Sequence, residues 1–511
     1  MSACGLWLAW ALLSCGDSGP PLDHSTALDS LALTRDALQD PSTSSLEVDI
    51  LPGRYPNLLD TSERTLSVAI LSPRRARRGA PVFTQAWLQA DGPATGPRVE
   101  AVGGPRQRDV NGDSNSDLVF TFSRPLLEQS GLLDESTTRV ALVARSQDLT
   151  ERVGVDRLFT NEALILRLPE PSGPASVGTQ ALSLLDASRT DWSGNARTLV
   201  VRAWYPAEAT RGQPAPYFLD SREAAANEPI AGLFDSMHAS SVRDAPVAGG
   251  PRRRPMLVLS TGLGVFLPAY TTLAEQLASQ GYFVFGIEHP GGSGNVVLPD
   301  GTLVPVDPQL EVPTDPSLAE AAEAFAHDIQ AVTTAALDAN SSLGAFAGHL
   351  DAARVGALGH SLGGAASVLA AARLQTLRAA VNLDGSFRGE ALTAGPNRPV
   401  LFMSGDGHRA EDETVDQFFA NARARVFWVE VAGSAHMNFS DVGFYVPLLQ
   451  AIDPTSTAGD LDVGAIAPSR MRTIMLAYVS AFFDKELRGA QSELLMPGSK
   501  RFPEAPLVIA H

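Results

Sequence analysis

A serine between two glycines, in the stretch LGHSLGG from Leu358 to Gly364, is the first group in the chain that could do chemistry. The pattern G-x-S-x-G carries a nucleophile when a strand precedes it and a helix follows it. Here the apolar run RVGAL precedes the motif, and the helix-forming run LGGAASVLAAAR follows Ser361. Gly359 and Gly363 are expected to be required, because a side chain at either position would strike the neighbouring strand or helix. The sequence therefore predicts that Ser361 is a nucleophile at a strand-to-helix turn.

A serine needs a base to activate it, which is usually a histidine that a carboxylate holds in the correct tautomer. In the strand-to-helix architecture the carboxylate and then the histidine follow the serine along the chain. His436 lies in VEVAGSAHMNFSD, where a predicted strand is followed by small residues, and it is the predicted base. His408, in SGDGHR, is interpreted as a solvated loop residue, and His511 as a frayed chain end.

Two aspartates are candidates for the carboxylate. Asp384 follows the apolar run AAVNL and Asp406 follows VLFMS, so both end predicted strands at the same edge of a sheet. Many α/β-hydrolases use the later position. The local context leaves both candidates open.

Backbone N–H groups must stabilise the negative charge that develops on the ester carbonyl oxygen during attack. The N–H of Leu362, directly after the nucleophile, is one predicted donor. A second is expected from the turn STGLGVF, where Gly262 and Gly264 let the backbone approach closely. Glu288 and His289 in EHPGG are interpreted as hydrogen-bonding residues near the site rather than metal ligands, since no cluster with ligand spacing accompanies them.

The elements that must position these residues are strands and helices in alternation. MLVLST, YTTLAEQLASQG and YFVFGIEHP have the patterns of a strand, a helix and a strand, which predicts a right-handed βαβ unit and a parallel sheet. Further helices are predicted around Ser317 to Asp338 and Pro468 to Leu487, with a strand at Arg354 to Leu358. Residues 166–511 are therefore predicted to form an α/β domain that carries the chemistry.

An all-β sandwich is predicted before this domain, over residues 47–160. Short alternating runs such as LSVAIL, LVFTF and RVALVA are separated there by Gly, Pro, Asn and Asp. The segments VDILPGRYPNLLD and DVNGDSNSDLVFTF resemble a small β-sandwich module that recurs in bacterial secreted proteins. That resemblance implies an accessory fold, not an activity.

A loop within this sandwich has the oxygen spacing of a calcium site. However, Ser114 replaces the turn glycine of an EF-hand, and Phe120 replaces its bidentate glutamate. A structural calcium ion is therefore one interpretation, and an ordinary Asx-rich turn is the other. The candidate ligands, at loop positions 1, 3, 5 and 9, are Asp109, Asn111, Asp113 and Asp117.

The first residues resemble a bacterial lipoprotein signal. The apolar segment LWLAWALL runs into LLSC, which predicts a signal peptide over residues 1–14, cleaved before an acylated Cys15. The segment MSACG lacks Lys and Arg, so a plain secretory signal, and a misplaced start or buried helix, are the alternatives. Residues 15–46 are rich in Ser, Asp, Pro and Thr and are predicted to be a flexible tether. These features predict an exported lipoprotein, anchored to a membrane in the periplasm or at the cell surface.

Composition limits the partners that this chain can have. A formal net charge of −18 over 511 residues argues against a nucleic-acid partner, which would need a basic face to neutralise its phosphates. No apolar run reaches the roughly 18 to 20 residues that span a bilayer, so membrane association is expected through the lipid anchor. The only cysteines are Cys4 and Cys15, so no disulfide is expected within the predicted domains.

Several segments together resemble the lipoprotein-associated and intracellular type II platelet-activating-factor acetylhydrolases and their bacterial relatives. They occur in the order of that family and span residues 172–487. Thr261 stands where relatives often have His, a change that a backbone oxyanion donor should survive. The segments are SGPASVGTQALSLLDASR with VVRAWYPA, LVLSTGLGVFLPAYTTLAEQLASQGYFVFGIEHPGGSG, GHSLGG, VNLDG and GSAHMNFSD.

This resemblance implies an α/β-hydrolase fold, a mostly parallel sheet with helices on both faces. It implies a triad of Ser361, Asp384 and His436, which favours Asp384 over Asp406. It also implies that the N–H of Leu263 is the second oxyanion donor, and that catalysis requires no cofactor.

We expect a serine carboxylic-ester hydrolase that works through an acyl-enzyme and, by the resemblance, cleaves short or oxidised acyl esters of phospholipids. A cutinase-like or polyester-hydrolysing esterase is the alternative within hydrolases and would use Asp406. A surface binding lipoprotein with an inactive hydrolase domain is the alternative outside enzymes. Apolar residues beside the site, Val265 to Leu267 and several from Phe439 to Leu449, fit either an acyl pocket or ordinary core.

Overall fold

A computed structural model describes residues 46–510, apart from 53–56, 60–62, 73–81, 91–95, 111–114, 135–136, 138, 161–167, 209–213, 228–233, 235–236, 251–252, 453–454 and 497. The predicted signal peptide, nearly all of the tether and Cys15 lie outside the described residues, as does His511. The described chain divides into two compact units. The smaller lies within Cys15–Ile165 and Ile230–Ser236, and the larger within Leu166–Pro229 and Met237–His511.

The smaller unit is a β-sandwich of two four-stranded antiparallel sheets. One sheet has the order β1-β2-β6-β5 and the other β4-β3-β7-β8. Alternate residues of each sheet enter one shared core, for example Leu66 and Phe120 from the first and Leu88 and Leu142 from the second. The predicted sandwich is therefore confirmed. Its strands are β1 Val48–Ile50, β2 Thr65–Ile70, β3 Phe83–Ala90, β4 Val99–Glu100, β5 Arg106–Arg108, β6 Asp117–Ser123, β7 Arg139–Ser146 and β8 Glu151–Arg157, with one helix, α1 Arg124–Gln129.

The candidate calcium loop lies only partly in the described chain, because Asn111 and Asp113 are outside it. Asp117 is buried at the start of β6, where its two carboxylate oxygens accept the N–H groups of Ser72 at 2.7 Å and Val110 at 3.0 Å. Among the described residues, no group of three or more His, Cys, Asp and Glu side chains is arranged to hold a metal. The calcium site stays a prediction.

The larger unit contains an eleven-stranded, mostly parallel sheet with the order β11-β12-β9-β10-β14-β13-β17-β18-β19-β20-β21. In the sheet β14 precedes β13, the reverse of their order along the chain, and β17 to β20 then follow in chain order. All six strands run parallel. A separate hairpin pairs β15 with β16. The strands are β9 Ser176–Thr190, β10 Ala196–Ala207, β11 Pro214–Pro216, β12 His238–Arg243, β13 Arg254–Ser260, β14 Phe283–Glu288, β15 Val296–Val297, β16 Leu303–Val304, β17 Leu350–His360, β18 Leu377–Leu383, β19 Val400–Ser404, β20 Val426–Glu430 and β21 Leu507–Ala510.

Helices cover both faces of this sheet, as its fully buried central strands require. Val355 and Ala357 of β17 pack with Phe325 of a long helix on one face. Between them, Gly356 faces the other side, where an added Cβ would lie 2.6 Å from the ring of Phe483. The helices are α2 Ser221–Asn227, α3 Thr271–Ser279, α4 Pro308–Glu311, α5 Asp315–Leu337, α6 Leu362–Arg373, α7 Gly389–Thr393, α8 His408–Glu411, α9 Glu413–Ala420, α10 Val446–Ile452 and α11 Pro468–Arg488. The predicted α/β fold is confirmed.

Chemistry-bearing residues gather at one edge of the sheet. Strands β13, β17, β18, β19 and β20 run parallel, so their carboxyl ends share this edge. The turn after β13, Ser361 after β17, Asp384 after β18 and His436 beyond β20 all lie there. No helix in the described ranges is both long and apolar enough to cross a bilayer.

Candidate active site

Ser361 lies at the sharp turn between β17 and α6. Its φ of 55° is in the left-handed region, which a serine keeps only where the surrounding structure holds it. The Ser361 N–H donates to the carbonyl of Leu383 at 2.8 Å, and its own carbonyl accepts from the N–H groups of Gly364 and Ala365. Hydrogen bonds on both sides of the residue therefore maintain the strained turn.

The two glycines of the motif lie where the backbones of the turn and the neighbouring strand approach most closely. An added Cβ on Gly359 would lie 2.4 Å from the carbonyl carbon of Gly363. An added Cβ on Gly363 would lie 2.3 Å from the carbonyl oxygen of Thr261. Neither position can carry a side chain unless the backbone of the turn moves.

The imidazole of His436 contacts Asp384. His436 opens a short 3₁₀ turn, and its Nδ1 lies 2.7 Å from Oδ2 of Asp384. An ionised carboxylate only accepts hydrogen bonds, so Nδ1 carries a proton, and in the neutral ring Nε2 then holds the lone pair. Asp384 itself has a φ of 58°, and its N–H donates to the carbonyl of Met403 at 2.7 Å. The structure thus brings the predicted base and one of the two candidate acids together.

The other oxygen of Asp384 is also occupied. Oδ1 accepts the N–H of Gly405 at 2.6 Å and lies 2.8 Å from Nδ1 of His408. Burial alone would raise the pKa of Asp384, but the hydrogen bonds from His408 and His436 outweigh it and hold the pKa well below its usual range. Asp384 is therefore a carboxylate throughout the neutral pH range.

Asp406, the alternative acid, contacts the loop that leads to His436. Its Oδ2 accepts the N–H of Gly433 at 2.8 Å, and its own N–H donates to the carbonyl of Ser434 at 3.1 Å. These bonds support the loop, whereas the His436 ring is bonded by Asp384.

The turn after β13 is held on both sides of Leu263. The N–H of Gly262 donates to the Tyr270 hydroxyl at 3.1 Å, and the N–H of Gly264 donates to the carbonyl of Gly292 at 2.8 Å. Leu362 is the first residue of α6, where the helix supplies no acceptor for its N–H. The arrangement fits the two predicted oxyanion donors.

A sequence model of the family described as platelet-activating factor acetylhydrolase, isoform II, matches residues 164–297 and 326–488. The chain belongs to this family.

Individual acetylhydrolases and esterases are similar to this chain over about two thirds of its length. A probable 1-alkyl-2-acetylglycerophosphocholine esterase of Arthroderma benhamiae is 26% identical over 66% of this chain and 92% of its own. A platelet-activating factor acetylhydrolase of Cavia porcellus is 22% identical over 65% and 81%. A solved ferulic acid esterase from Streptomyces cinnamoneus matches with a TM-score of 0.60 and 30% identity, over 67% of this chain and 99% of that one. These findings confirm the predicted family, the α/β-hydrolase fold and the class of carboxylic-ester hydrolase.

One buried ring links the turn after β13 to the predicted base. His360 is fully buried, and its Nδ1 lies 2.9 Å from the Tyr270 hydroxyl that accepts from Gly262. Its Nε2 lies 3.0 Å from the carbonyl oxygen of His436. Burial and then the neighbouring His436 lower the pKa of His360 to about 3, so the ring is neutral. Sequence reasoning missed His360, although it lies inside the nucleophile motif.

A second series of Ser, His and Asp lies in the core of this acetylhydrolase-family domain. Ser260 Oγ lies 2.8 Å from Nε2 of His289, whose Nδ1 lies 2.8 Å from Oδ2 of Asp328. Asp328 also accepts from Arg189 and Arg197, and all three members of the series are fully buried. His289 is thus a hydrogen-bonding residue that anchors the end of β13, before the turn that carries Leu263.

Glu288 supports the same turn in a different way. Its Oε1 accepts the N–H of Leu267 at 2.6 Å, and burial raises the pKa of its carboxyl to about 8. Of the apolar residues beside the site, Phe266, Leu267 and Phe439 are buried, whereas Val265 is half-buried. Most of that set is therefore core of the acetylhydrolase fold.

The interpretation of His408 as a solvated loop residue is wrong. The left-handed Gly407, with a φ of 80°, turns the chain into a short helix that begins at His408. The ring is largely enclosed and lies between Asp384 and Asp412. The spacing of His408 and Asp412, one helical turn apart, was the available signal.

Proposed function

We propose that this chain hydrolyses carboxylic esters through an acyl-enzyme formed on Ser361. Nε2 of His436 takes the serine proton, because the Nδ1–H of the same ring is committed to Asp384. The serine oxygen then attacks the ester carbonyl, and the N–H groups of Leu263 and Leu362 receive the oxyanion. The contact of 2.7 Å between His436 and Asp384, at the sheet edge that bears the strained Ser361, carries the proposal.

The two halves of the reaction use the same groups. His436 returns the proton to the departing alcohol, which leaves Ser361 acylated. Water then attacks the acyl-enzyme while His436 accepts its proton, and the carboxylic acid departs as the proton returns to Ser361. Asp384 stays ionised and stabilises the imidazolium in both halves. No step uses a cofactor, so we expect EDTA to leave the rate of ester hydrolysis unchanged.

The proposed substrates are phospholipids that carry a short or oxidised acyl ester. Two relatives, from Arthroderma benhamiae and Cavia porcellus, are named as an esterase and an acetylhydrolase of an acetylated phospholipid, which supports this proposal. The contact of His436 with Asp384, and not with Asp406, favours this substrate class over the cutinase-like alternative.

Esters of aromatic acids are the second candidate. The likeness to a ferulic acid esterase, at 30% identity over nearly all of that chain, supports this alternative. A panel of 2-acetyl phospholipid, methyl ferulate, p-nitrophenyl esters of two to twelve carbons and a polyester film would rank the candidates by kcat/KM. A preference for methyl ferulate over the acetyl phospholipid would replace the first candidate with the second.

A fluorophosphonate probe tests the nucleophile directly. Wild-type protein should be labelled on Ser361, and Ser361→Ala should lose both the label and the hydrolysis of p-nitrophenyl acetate. Ser193→Ala, at an exposed serine in the turn between β9 and β10, is the matched control and should keep both. Folded wild-type protein that takes no label would favour the non-enzymatic binding alternative.

We also propose that the chain is exported and attached to a membrane through an acylated Cys15. The lipoprotein-like pattern LLSC supports this proposal. We expect the wild type to incorporate labelled palmitate. Cys15→Ala should lose this label and appear in the soluble fraction. Equal soluble release of both forms would contradict it.

A further inference from the structure

A second histidine contacts the proposed triad acid. His408 begins α8, and its Nδ1 lies 2.8 Å from Oδ1 of Asp384. Its Nε2 lies 3.3 Å from Oδ2 of Asp412, one helical turn later. Only 15% of the His408 side chain is exposed, so the ring is largely enclosed between two carboxylates. The proposed reaction gives this ring no task.

The two contacts determine the protonation state of His408. Carboxylates only accept hydrogen bonds, so a ring nitrogen that faces one must carry a proton. A ring that is protonated on both nitrogens is an imidazolium cation. Burial lowers the pKa of His408, but the hydrogen bonds and charges of Asp384 and Asp412 raise it to about 10. Asp412 is itself fixed, because its Oδ1 accepts the N–H of Thr414 at 2.8 Å.

Two other charged side chains near α8 have partners of their own. Arg409 pairs with Asp416 and covers the ring of Trp428. Asp406 bonds to the backbone of the loop before His436. From strand β19, the apolar ring of Phe402 packs against His408, with the two ring centroids 5.7 Å apart. The carboxylates that bond to the His408 ring are Asp384 and Asp412, and His436 lies on the other oxygen of Asp384.

We propose that His408 is a positioning residue, which holds the Asp384 carboxylate so that Oδ2 faces Nδ1 of His436. Together with the N–H of Gly405, the ring occupies Oδ1 and opposes rotation of the carboxylate. His408 touches no reacting atom, so it acts through Asp384 alone. The inference rests on the proposed function, since this orientation matters only if His436 is the base.

Loss of His408 should have two measurable effects. Asp384 would keep only the Gly405 donor on Oδ1, so kcat should fall while KM changes little. Loss of the positive charge beside Asp384 should also favour the protonated, inactive form of the free enzyme. The acidic limb of the kcat/KM profile should then move to higher pH by about one unit. A residue that only stabilised the fold would not move this limb.

Three variants separate these effects. His408→Ala removes donor and charge, and should lower kcat about 10-fold to 100-fold. His408→Gln keeps an N–H for Asp384 but no charge, so it should lose less of kcat while its acidic limb still moves. Arg409→Gln is the matched control, because it removes a positive charge from the next residue, whose partner is Asp416. It should keep kcat within about twofold and leave the pH profile unchanged.

The full-length protein is assayed with p-nitrophenyl acetate from pH 5 to 9, and thermal unfolding checks that each variant is folded. Nitrogen-15 NMR of the histidine rings is the second measurement, and both His408 nitrogens should stay protonated at pH 8. A wild-type pH profile and kcat in folded His408→Ala would overturn the proposal, as would a His408 ring that is neutral at pH 8. Wild-type protein without esterase activity would instead refute the proposed function, while the NMR result would still decide the state of His408.

Discussion

Replacement of Asp384 by asparagine tests the proposed proton path most severely. In the wild type, Oδ1 faces two donors, the Gly405 N–H and the His408 ring, whereas Oδ2 faces one, the His436 ring. An asparagine amide offers one oxygen and one NH₂ group. The orientation with the oxygen toward His436 would place NH₂ against two donors, so the amide nitrogen should face His436 instead.

This orientation forces His436 into the wrong tautomer. Nδ1 must then accept from the amide, so Nε2 carries the proton and cannot take one from Ser361. Each donor that faces another donor costs about 1 to 3 kcal/mol. The orientation with the amide oxygen toward His436, which has two such contacts, is therefore the rarer one. We expect a loss of about 10⁴-fold in kcat, or about 5.5 kcal/mol of transition-state stabilisation.

Asp406→Asn is the matched comparison. Its amide oxygen can still accept the N–H of Gly433, so kcat should remain within about threefold of the wild type. Initial rates with p-nitrophenyl acetate, together with the rate of fluorophosphonate labelling of Ser361, measure both variants. If Asp406→Asn were inactive and Asp384→Asn active, Asp384 would not be the acid.

Three further changes test the supports of the site. Gly363→Ala should destabilise the fold by about 1 to 3 kcal/mol and abolish activity, because its Cβ would strike the carbonyl of Thr261; thermal unfolding and labelling measure both. Glu288→Gln should gain stability relative to the wild type as pH rises from 6 to 9. Native Glu288, with its pKa of about 8, holds a proton that the unfolded chain releases, so only the wild type loses stability over this range. Urea midpoints at both pH values are the measurement. Asp328→Asn should cost about 3 to 5 kcal/mol in urea unfolding, because Arg197 would stay buried without its carboxylate, and an unchanged midpoint would contradict that role.

Much of the site follows from local patterns, and the remainder depends on how side chains meet. The helix Leu362–Arg373 has the predicted bounds, and the long helix predicted around Ser317 to Asp338 runs over Asp315–Leu337. Ser361 could be selected because the motif, the strand and the helix occur together. The acid could not be selected this way, because Asp384 and Asp406 end adjacent parallel strands. Only the three-dimensional structure shows which of the two carboxylates contacts the His436 ring.

Local sequence patterns could not predict the contacts of the neutral His360 ring or of the charged His408 ring. His360 points from a strand end into the core, where its two ring nitrogens meet Tyr270 and the carbonyl of His436 from distant segments. His408 follows glycines, a composition typical of solvated turns, yet the helix it starts carries the ring to Asp384. Burial of this kind depends on partners that lie tens of residues away.

The larger unit contains an internal control for labelling by any serine-directed reagent. Ser260, His289 and Asp328 repeat the chemical order of the proposed triad, but they are sealed from solvent. The residue types are the same in the two series, but Ser260 is buried at the end of a strand, whereas Ser361 lies at the strained turn before a helix. Because the native core encloses Ser260, a label found there would report opening of that core rather than catalysis.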